Sequence, residues 1–254
     1  MRRRYNQWVA NQTLEDFALR FTAEKARRWS AFRVANTALG SISFLALEAI
    51  GGALTLSFGF ANAVAAILTV SVLIFLTGVP ISAHAARAGV DIDLLSRGAG
   101  FGYIGSTITS LIYASFTFIF FALEAAIMAT ALELLLGIPI AIGYLLSALA
   151  VIPLVTHGIT LISRFQLWTQ PLWIGLHILP FAYLALHDQG EFAAWLDFPG
   201  VDGDHAGFSW LAFGAASSVV FALSAQIGEQ ADFLRFLPRR RPGFDAAWWS
   251  SLLS

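Results

Sequence analysis

A glutamate and two adjacent glycines lie in the middle of the first long apolar segment: residues 45–52 read Leu-Ala-Leu-Glu-Ala-Ile-Gly-Gly. The segment, residues 34–58, is long enough to cross a bilayer, which takes about 20 mostly apolar residues. A carboxylate such as Glu48 is costly at mid-bilayer and normally faces protein or a wet cavity. Gly51 and Gly52 each weaken a helix by about 1 kcal/mol relative to alanine. The stretch therefore predicts either a helix that breaks at mid-membrane to bind a solute or ion, or a kinked helix whose glycines allow close packing.

The composition is that of an integral membrane protein. Of the 254 residues, 57% are hydrophobic and 12% are charged, and the mean hydropathy is +0.71, whereas soluble domains carry about 25% charged residues. The absence of cysteine excludes disulfides and thiolate metal sites. The sequence contains no phosphate-binding loop, nucleophile elbow, kinase signature or nucleic-acid-binding module, and no histidine pair with metal-ligand spacing. We therefore expect no catalytic residues, no enzyme activity, no metal, no cofactor and no nucleic-acid partner for this stretch of chain.

Six apolar segments divide the chain, and each is predicted to cross the bilayer once. They follow a basic cytoplasmic arm at residues 1–33 and form a membrane domain at residues 34–237. Residues 238–254 are predicted to be a cytoplasmic loop and the start of a further span, which would make the chain a fragment of a longer protein. The predicted spans are residues 34–58, 60–83, 103–136, 138–156, 165–186 and 208–237. The expected fold class is an all-α membrane helix bundle.

All 15 lysines and arginines fall on one side of these six spans. Eight precede the first span, two lie between the second and third, one lies between the fourth and fifth, and four lie at or after the end of the sixth, with Arg235 in its last residues. The largest connection on the other side, residues 187–207, contains five acidic residues and no lysine or arginine. Because basic loops remain in the cytoplasm during insertion, we expect a multi-pass protein of a bacterial inner membrane with a cytoplasmic N-terminus.

The sixth segment contains a partial copy of the opening stretch. Residues 222–229 and residues 46–52 both read Ala-Leu-x-Ala and then Ile-Gly, and each copy places a carboxylate, Glu229 or Glu48, close to its glycine. Segments five spans apart cross the membrane in opposite directions. Two similar glycine-interrupted helices in inverted halves are typical of transporter binding sites. The echo therefore predicts that the first and sixth helices are neighbours, and that the sixth also breaks, near Gly228.

The third segment carries another carboxylate. Phe120 and Glu124 are four residues apart and so share one helix face. An aromatic ring one turn from a hydrogen-bonding group could stack a flat heterocycle and bind its polar edge. The alternative is a helix contact, because small residues recur on this segment at close-packing spacing; they are Ala122, Ala125, Ala126 and Ala129.

The end of the sixth segment resembles a known family. Residues 227–236 are similar to the Asn-x-x-Asp-Phe-x-Arg ending of the nucleobase–cation symporters, the purine–cytosine permease-like family, with Asp232, Phe233 and Arg235 matching. Residues 56–58 and 89–105 also fit, and the resemblance extends over about residues 14–237.

The resemblance implies an inverted-repeat fold of the LeuT type, with a small solute bound between the broken first and sixth spans and with Na⁺ or H⁺ coupling. Among the expected solute-binding residues, the resemblance implies Phe120, where the family often has a stacking tryptophan, and Glu124, where it has a glutamine. Glu48, Gln226 and Glu229 are expected from the two echoing stretches, and Glu48, Glu124 and Glu229 are expected to converge on one cavity with Phe120 as its apolar wall. The backbone at Leu45 and Glu48 would border the ion site. Three residues differ from the family pattern: Leu223 replaces a stacking tryptophan, Glu229 replaces asparagine, and Glu48 stands where a small residue is usual.

A second resemblance gives an alternative function. Residues 102–110 and 166–173 are similar to a branch fused to bacterial hybrid sensor histidine kinases, in which the transporter-like part is the input module. The chain is thus predicted to be either an ion-coupled transporter module or a solute-sensing membrane domain. Its expected partners are a nucleobase-like or other small polar solute and the lipid bilayer. A purely structural anchor ranks last because it would not need three carboxylates within its spans.

Overall fold

The structure, a computed structural model, describes residues 19–203 and 207–239, together with Asp245 and Trp249. These residues form helices and no β-strand, as predicted. The predictions for residues 1–18 and for most of 238–254 lie outside the described residues. The α-helices are α1 (Ala31–Ile42), α2 (Leu45–Phe58), α3 (Phe60–Ala88), α4 (Ile92–Ser96), α5 (Gly102–Leu136), α6 (Ile140–Thr156), α7 (Gly158–His187), α8 (Gln189–Leu196), α9 (Trp210–Phe221) and α10 (Glu229–Leu234). A π-helical segment, Arg97–Phe101, precedes α5, and a 3-10 segment, Ala222–Gly228, joins α9 to α10.

Three helical stretches in the described part of the chain are long and apolar enough to cross a membrane: Phe60–Ala88, Ile92–Leu136 and Trp210–Leu234. The number rises to five if each of two bent pairs is counted as one span. One pair, α1 with α2, is bent by 55°, and the other, α6 with α7, by 116°. Every predicted apolar segment coincides with one or two of these helices, but the number of six spans stays a prediction.

The first span is interrupted, but not at its glycines. Gly51 and Gly52 lie inside the continuous helix α2, and the helical bonding is lost at Ser43 and Phe44 instead. The predicted break at the glycines is therefore wrong. A helix keeps every backbone group bonded within its own segment, and an unbonded amide in apolar surroundings costs several kcal/mol. The penalty of about 1 kcal/mol per glycine is too small to offset that cost.

Side-chain hydrogen bonds explain why the helix stops at residue 43. The hydroxyl of Ser43 donates to the carbonyl oxygen of Leu39 in the last turn of α1 and accepts a hydrogen bond of 2.9 Å from Nε2 of Gln170 on α7. Phe44 then adopts an extended conformation, with φ −144° and ψ 142°. A serine hydroxyl that competes with backbone bonding favours such an end, and Gln170 holds it against a neighbouring helix.

Helix α3 forms the centre of the bundle and contacts α2, α9, the 3-10 segment and α10. The first and sixth spans are also neighbours: α1 contacts α10 and α2 contacts α9. This pairing of the first half of one span with the last part of the other means that they run antiparallel. The prediction that the two helices are adjacent is confirmed.

Small side chains allow the helices to approach closely. One cluster of buried residues between α2, α3 and α9 contains Leu54, Ala63, Ala66, Val70, Ala216 and Val220. On α5, Ala125 and Ala129 are buried, and a Cβ atom built at Gly143 of α6 would lie 2.9 Å from the Cα of Ala129. The alternative interpretation of the alanine spacing on the third span, a close helix contact, is therefore confirmed at Ala129.

Candidate functional site

A cavity of about 380 Å³ lies between the two interrupted spans and α3. The first span contributes residues on both sides of its break, and the sixth span contributes its 3-10 segment and the start of α10. The lining residues are Ser41, Ile42 and Leu47 from the first span, Ser71, Ile74, Phe75, Gly78, Val79 and Ser82 from α3, and Val220, Leu223, Gln226, Ile227, Glu229 and Gln230 from the sixth. We call this space the central cavity.

The walls of the central cavity are mainly apolar and carry a few polar groups. Gln226, Glu229 and Gln230 project from the sixth span, and three serines, Ser41, Ser71 and Ser82, come from the first span and α3. This combination, an apolar pocket with a few polar groups that fix orientation, is typical of small-molecule sites. Gln226 and Glu229, both predicted as site residues, lie in this cavity.

The α3 wall was missed by the sequence reasoning. Ser71, Gly78 and Ser82 are seven and four residues apart, so they share one helix face. Phe75 lies on the same face and is the aromatic residue of the cavity. A stripe of small and polar residues on an otherwise apolar span was the signal that could have indicated this wall.

Glu229 is held in place by a residue of the third span. The hydroxyl of Tyr113 donates a hydrogen bond of 2.8 Å to Oε1 of Glu229, which leaves Oε2 available to another donor. The neighbouring Gly228 ends the 3-10 segment, and a Cβ atom built there would lie 2.8 Å from Cγ1 of Ile92. Gly228 thus permits close contact between the interrupted span and α4.

Glu124 performs a different task from the predicted one. Its Oε1 accepts a hydrogen bond of 2.6 Å from the backbone amide of Ala46 in the first turn of α2. The residue before α2, Phe44, has no side chain that could cap the helix, so the first-turn amides need an acceptor from elsewhere. Glu124 supplies it from α5. This carboxylate also suits the partial positive charge of a helix N-terminus.

Phe120 supports the same break. Its ring packs edge-on against Phe44, with centroids 5.3 Å apart, and is tilted by 40° against Phe116, with centroids 4.6 Å apart. Neither Phe120 nor Glu124 lines the central cavity. The predicted pair is thus placed at the break of the first span, where it fixes the backbone.

Glu48 turns away from the central cavity as well. Its Oε1 lies 2.7 Å from Nε2 of His177 on α7, while the preceding residue, Leu47, lines the cavity. Successive residues of an α-helix point about 100° apart, so the two side chains face different neighbours. The prediction that Glu48, Glu124 and Glu229 converge on one cavity is therefore wrong, because of the three only Glu229 lines this one.

The backbone at Leu45 and Glu48, predicted to border an ion site, is α-helical. Both residues belong to α2, and helix carbonyls accept from amides four residues further along. The non-helical backbone lies just before them, at Ser43 and Phe44. Within the described residues, no group of three or more His, Cys, Asp or Glu side chains is placed to hold a metal ion.

The residues that carry the family resemblance anchor the end of the sixth span. Nη1 of Arg235 lies 3.5 Å from Oδ2 of Asp91 and 3.9 Å from Oδ1 of Asp232. Asp91 in turn caps α4 through the amide of Leu94 at 2.8 Å, and Asp232 accepts from the amide of Ile92 at 3.4 Å. This network joins α10 to α4, next to the central cavity but outside its lining.

Comparison of the chain with protein-family models, with curated proteins and with solved structures finds no match.

Proposed function

We propose that the chain is a membrane transporter module that binds a small polar solute in the central cavity. The observation that carries this proposal is the position of the cavity, bounded by the break of the first span and by the 3-10 segment of the sixth, two spans that run antiparallel. Interrupted helices leave backbone groups and hinge points at mid-span, which is where transporters bind and release their substrates.

The lining suggests the chemistry of the solute. Gln226 and Gln230 can each donate and accept hydrogen bonds, and the free oxygen of Glu229 can accept one. Phe75 can stack a flat ring. A volume of about 380 Å³ is at the small end of ligand pockets. We infer a small, neutral or cationic compound with N–H donors, such as a nucleobase.

We further propose that the two interrupted helices begin the two halves of a LeuT-type inverted repeat in a bacterial inner membrane, with six spans in this chain. The resemblance of residues 227–236 to purine–cytosine permeases supports this assignment, and the positive-inside pattern supports a cytoplasmic N-terminus. Single cysteines test the topology because the chain has none. We expect an impermeant thiol reagent added to spheroplasts to label Asp202→Cys and not Arg164→Cys; the reverse pattern would refute the orientation.

Binding is tested on the purified protein in lipid nanodiscs with a panel of nucleobases and small polar amines and amides. We expect one class to bind, and Gln226→Ala to weaken its binding at least tenfold, or about 1.4 kcal/mol, since a buried partner loses its hydrogen bond. Gln189→Ala is the matched control because Gln189 is exposed at the start of α8. Equal binding by Gln226→Ala and wild type would contradict the proposal.

Uptake of the bound compound into proteoliposomes separates transport from sensing. Accumulation that needs Gln226 supports a transporter. Binding without accumulation would instead support the sensory input module that the resemblance to hybrid kinases implies, which uses the same binding step.

A further inference from the structure

Two arginines that are far apart in the sequence lie close together where α1 packs against α7. Arg33 is in the first turn of α1, and Arg164 is near the start of α7. Nη2 of Arg33 lies 3.4 Å from the carbonyl oxygen of Thr160, which in a helix points toward the amide of residue 164. The two guanidinium groups are near enough to repel each other. The fold therefore holds two positive charges side by side, and neither residue lines the central cavity.

Uncharged groups hold Arg33 in this position. Its Nε donates a hydrogen bond of 3.0 Å to the hydroxyl of Ser163, in addition to the contact with Thr160. Its Cζ lies 4.2 Å from the centre of the Trp29 ring, which is buried and stacked on Phe236. A guanidinium has five N–H groups. These contacts use two of them, which leaves three without a partner within the described residues.

No carboxylate balances the two charges in the described part of the chain. The ion pairs between described residues include neither Arg33 nor Arg164, and the side chain of Arg164 is exposed. Guanidinium groups bind phosphate oxygens through paired N–H bonds. A phosphate between the two arginines would use the remaining donors and would turn their mutual repulsion into attraction toward a shared anion.

The surroundings of the two arginines match the surface of a bilayer. Arg33 directly precedes the apolar segment 34–58, and Arg164 directly precedes the apolar segment 165–186. Trp168 shares a helix face with Arg164 because it is four residues further along, and its side chain is 86% exposed. Phe32, beside Arg33, is 71% exposed. Aromatic side chains are common at the level of the lipid headgroups, where exposed rings can contact acyl chains.

We propose that Arg33 and Arg164 form a binding site for the phosphate of an anionic phospholipid such as phosphatidylglycerol. The phosphate accepts N–H bonds from both guanidinium groups, and the acyl chains run along Trp168 and Phe32. No covalent bond forms or breaks. A free phosphate ion would gain nothing from the two exposed rings, so the rings favour a lipid as the source of the phosphate. The bound lipid joins α1 to α7, and its binding does not depend on the proposed solute.

The test titrates the complete chain in a neutral detergent with phosphatidylglycerol and with phosphatidylcholine, and counts bound lipids by native mass spectrometry. We expect phosphatidylglycerol to bind more tightly, because the choline cation of the other lipid is repelled by the arginines. Arg164→Gln should weaken the binding of phosphatidylglycerol at least about tenfold, since charge-assisted hydrogen bonds are lost. Arg164 is the first choice for substitution because its side chain is exposed, so its removal should leave the fold intact.

Two further variants show whether the effect belongs to this site. Arg33→Lys keeps the charge and loses the planar fork, so it should also weaken binding of phosphatidylglycerol. Arg28→Gln is the matched control because Arg28 is an exposed arginine of the segment before α1; at about 0.15 M salt it should change binding less than about twofold. Equal losses in Arg28→Gln and Arg164→Gln would mean a general surface charge and would overturn the proposal.

Inorganic phosphate separates the two sources of the anion. In tenfold excess it should leave phosphatidylglycerol bound, and displacement of the lipid would overturn the proposal by assigning the site to a free phosphate. Equal binding of phosphatidylglycerol and phosphatidylcholine would overturn it as well. Failure of every solute to bind would contradict the proposed function and leave the lipid site standing.

Discussion

The two interrupted spans carry similar sequences, but their backbones depart from the α-helix in different ways. In the sixth span the echo itself, Ala222–Gly228, forms the 3-10 segment, and the chain continues into α10 without a gap. In the first span the corresponding residues, 46–52, are fully α-helical, and the gap lies just before them at Ser43 and Phe44. The same short pattern therefore accompanies a change of helix type in one span and a true break in the other.

The difference follows from where the backbone amides find acceptors. A 3-10 segment keeps its amides bonded to carbonyls three residues back, so the sixth span needs no external cap. The break in the first span leaves the amide of Ala46 without a backbone acceptor, and Glu124 of α5 bonds it, whereas the amide of Leu47 bonds the carbonyl of Phe44. The first span can break only because another helix supplies the acceptor, whereas the sixth span supplies the acceptors for its own amides.

The largest expected effect comes from the residue that joins the end of the first span to the start of the sixth. Asn62 is fully buried; its Nδ2 donates to the carbonyls of Phe58 at 2.9 Å and Gly207 at 3.0 Å, and its Oδ1 accepts from the amide of Ser209 at 2.8 Å. Asn62→Ala should lower the free energy of unfolding by about 3 kcal/mol, since each bond contributes about 1 kcal/mol.

This change is measured by chemical unfolding in detergent micelles. Asn62→Asp is the companion variant: it keeps the acceptor for Ser209 but places a buried carboxyl oxygen against the carbonyls of Phe58 and Gly207, so it should be at least as destabilising as Asn62→Ala. An Asn62→Ala protein as stable as wild type would show that the end of the first span and the start of the sixth are not joined through this side chain.

Close packing at the end of the 3-10 segment gives the next prediction. A methyl group at residue 228 would lie 2.8 Å from Cγ1 of Ile92, so Gly228→Ala should destabilise the protein by about 1–3 kcal/mol through overpacking. Ile92→Ala removes the clashing atoms. We expect the double variant to be more stable than the sum of the two single effects predicts; strict additivity would place the two residues out of contact.

The dependence of the first break on its cap gives a third prediction. Glu124→Ala should cost about 1–2 kcal/mol of unfolding free energy, because the amide of Ala46 loses its acceptor. Glu124→Gln keeps an oxygen acceptor and should cost less. The exposed Glu133→Ala is the control on the same helix. If Glu124→Gln and Glu124→Ala are equally unstable, charge at the helix N-terminus and not the hydrogen bond holds the break.

The sequence was sufficient for the helices and insufficient for the break. Apolar segment length depends only on local residues, so the third segment, predicted at residues 103–136, appears as α5 at Gly102–Leu136. The position of the break depends on two side chains distant in sequence, Glu124 and Gln170, which meet the first span only in the folded bundle. Glycine content near residue 51 could not reveal them.

The residues of the candidate site were also only partly predictable from the sequence. Gln226 and Glu229 were found because they accompany the interruption of the sixth span, and both line the central cavity. Glu48 was misplaced because Leu47 and not Glu48 faces the cavity once α2 begins at Leu45, which leaves Glu48 beside His177. Phe120 was misplaced because its ring packs against Phe44 at the break. The α3 wall was missed because serines within an apolar span also occur without a binding role.

The smallest expected effect tests the glycines from which the break was first predicted. Gly51 lies inside α2, and a Cβ atom built there has no neighbour within 4 Å. Alanine should therefore fit without strain and stabilise the protein by about 0.5–1 kcal/mol, because it loses less backbone entropy than glycine on folding. Measured beside Gly228→Ala in the same unfolding experiment, Gly51→Ala should change stability in the opposite direction. Stabilisation with unaltered solute binding is expected if the hinge is at Ser43 and Phe44. Loss of solute binding in Gly51→Ala would instead place the hinge of the first span at its glycines. The hinge would then lie within the echoing sequence in both interrupted spans.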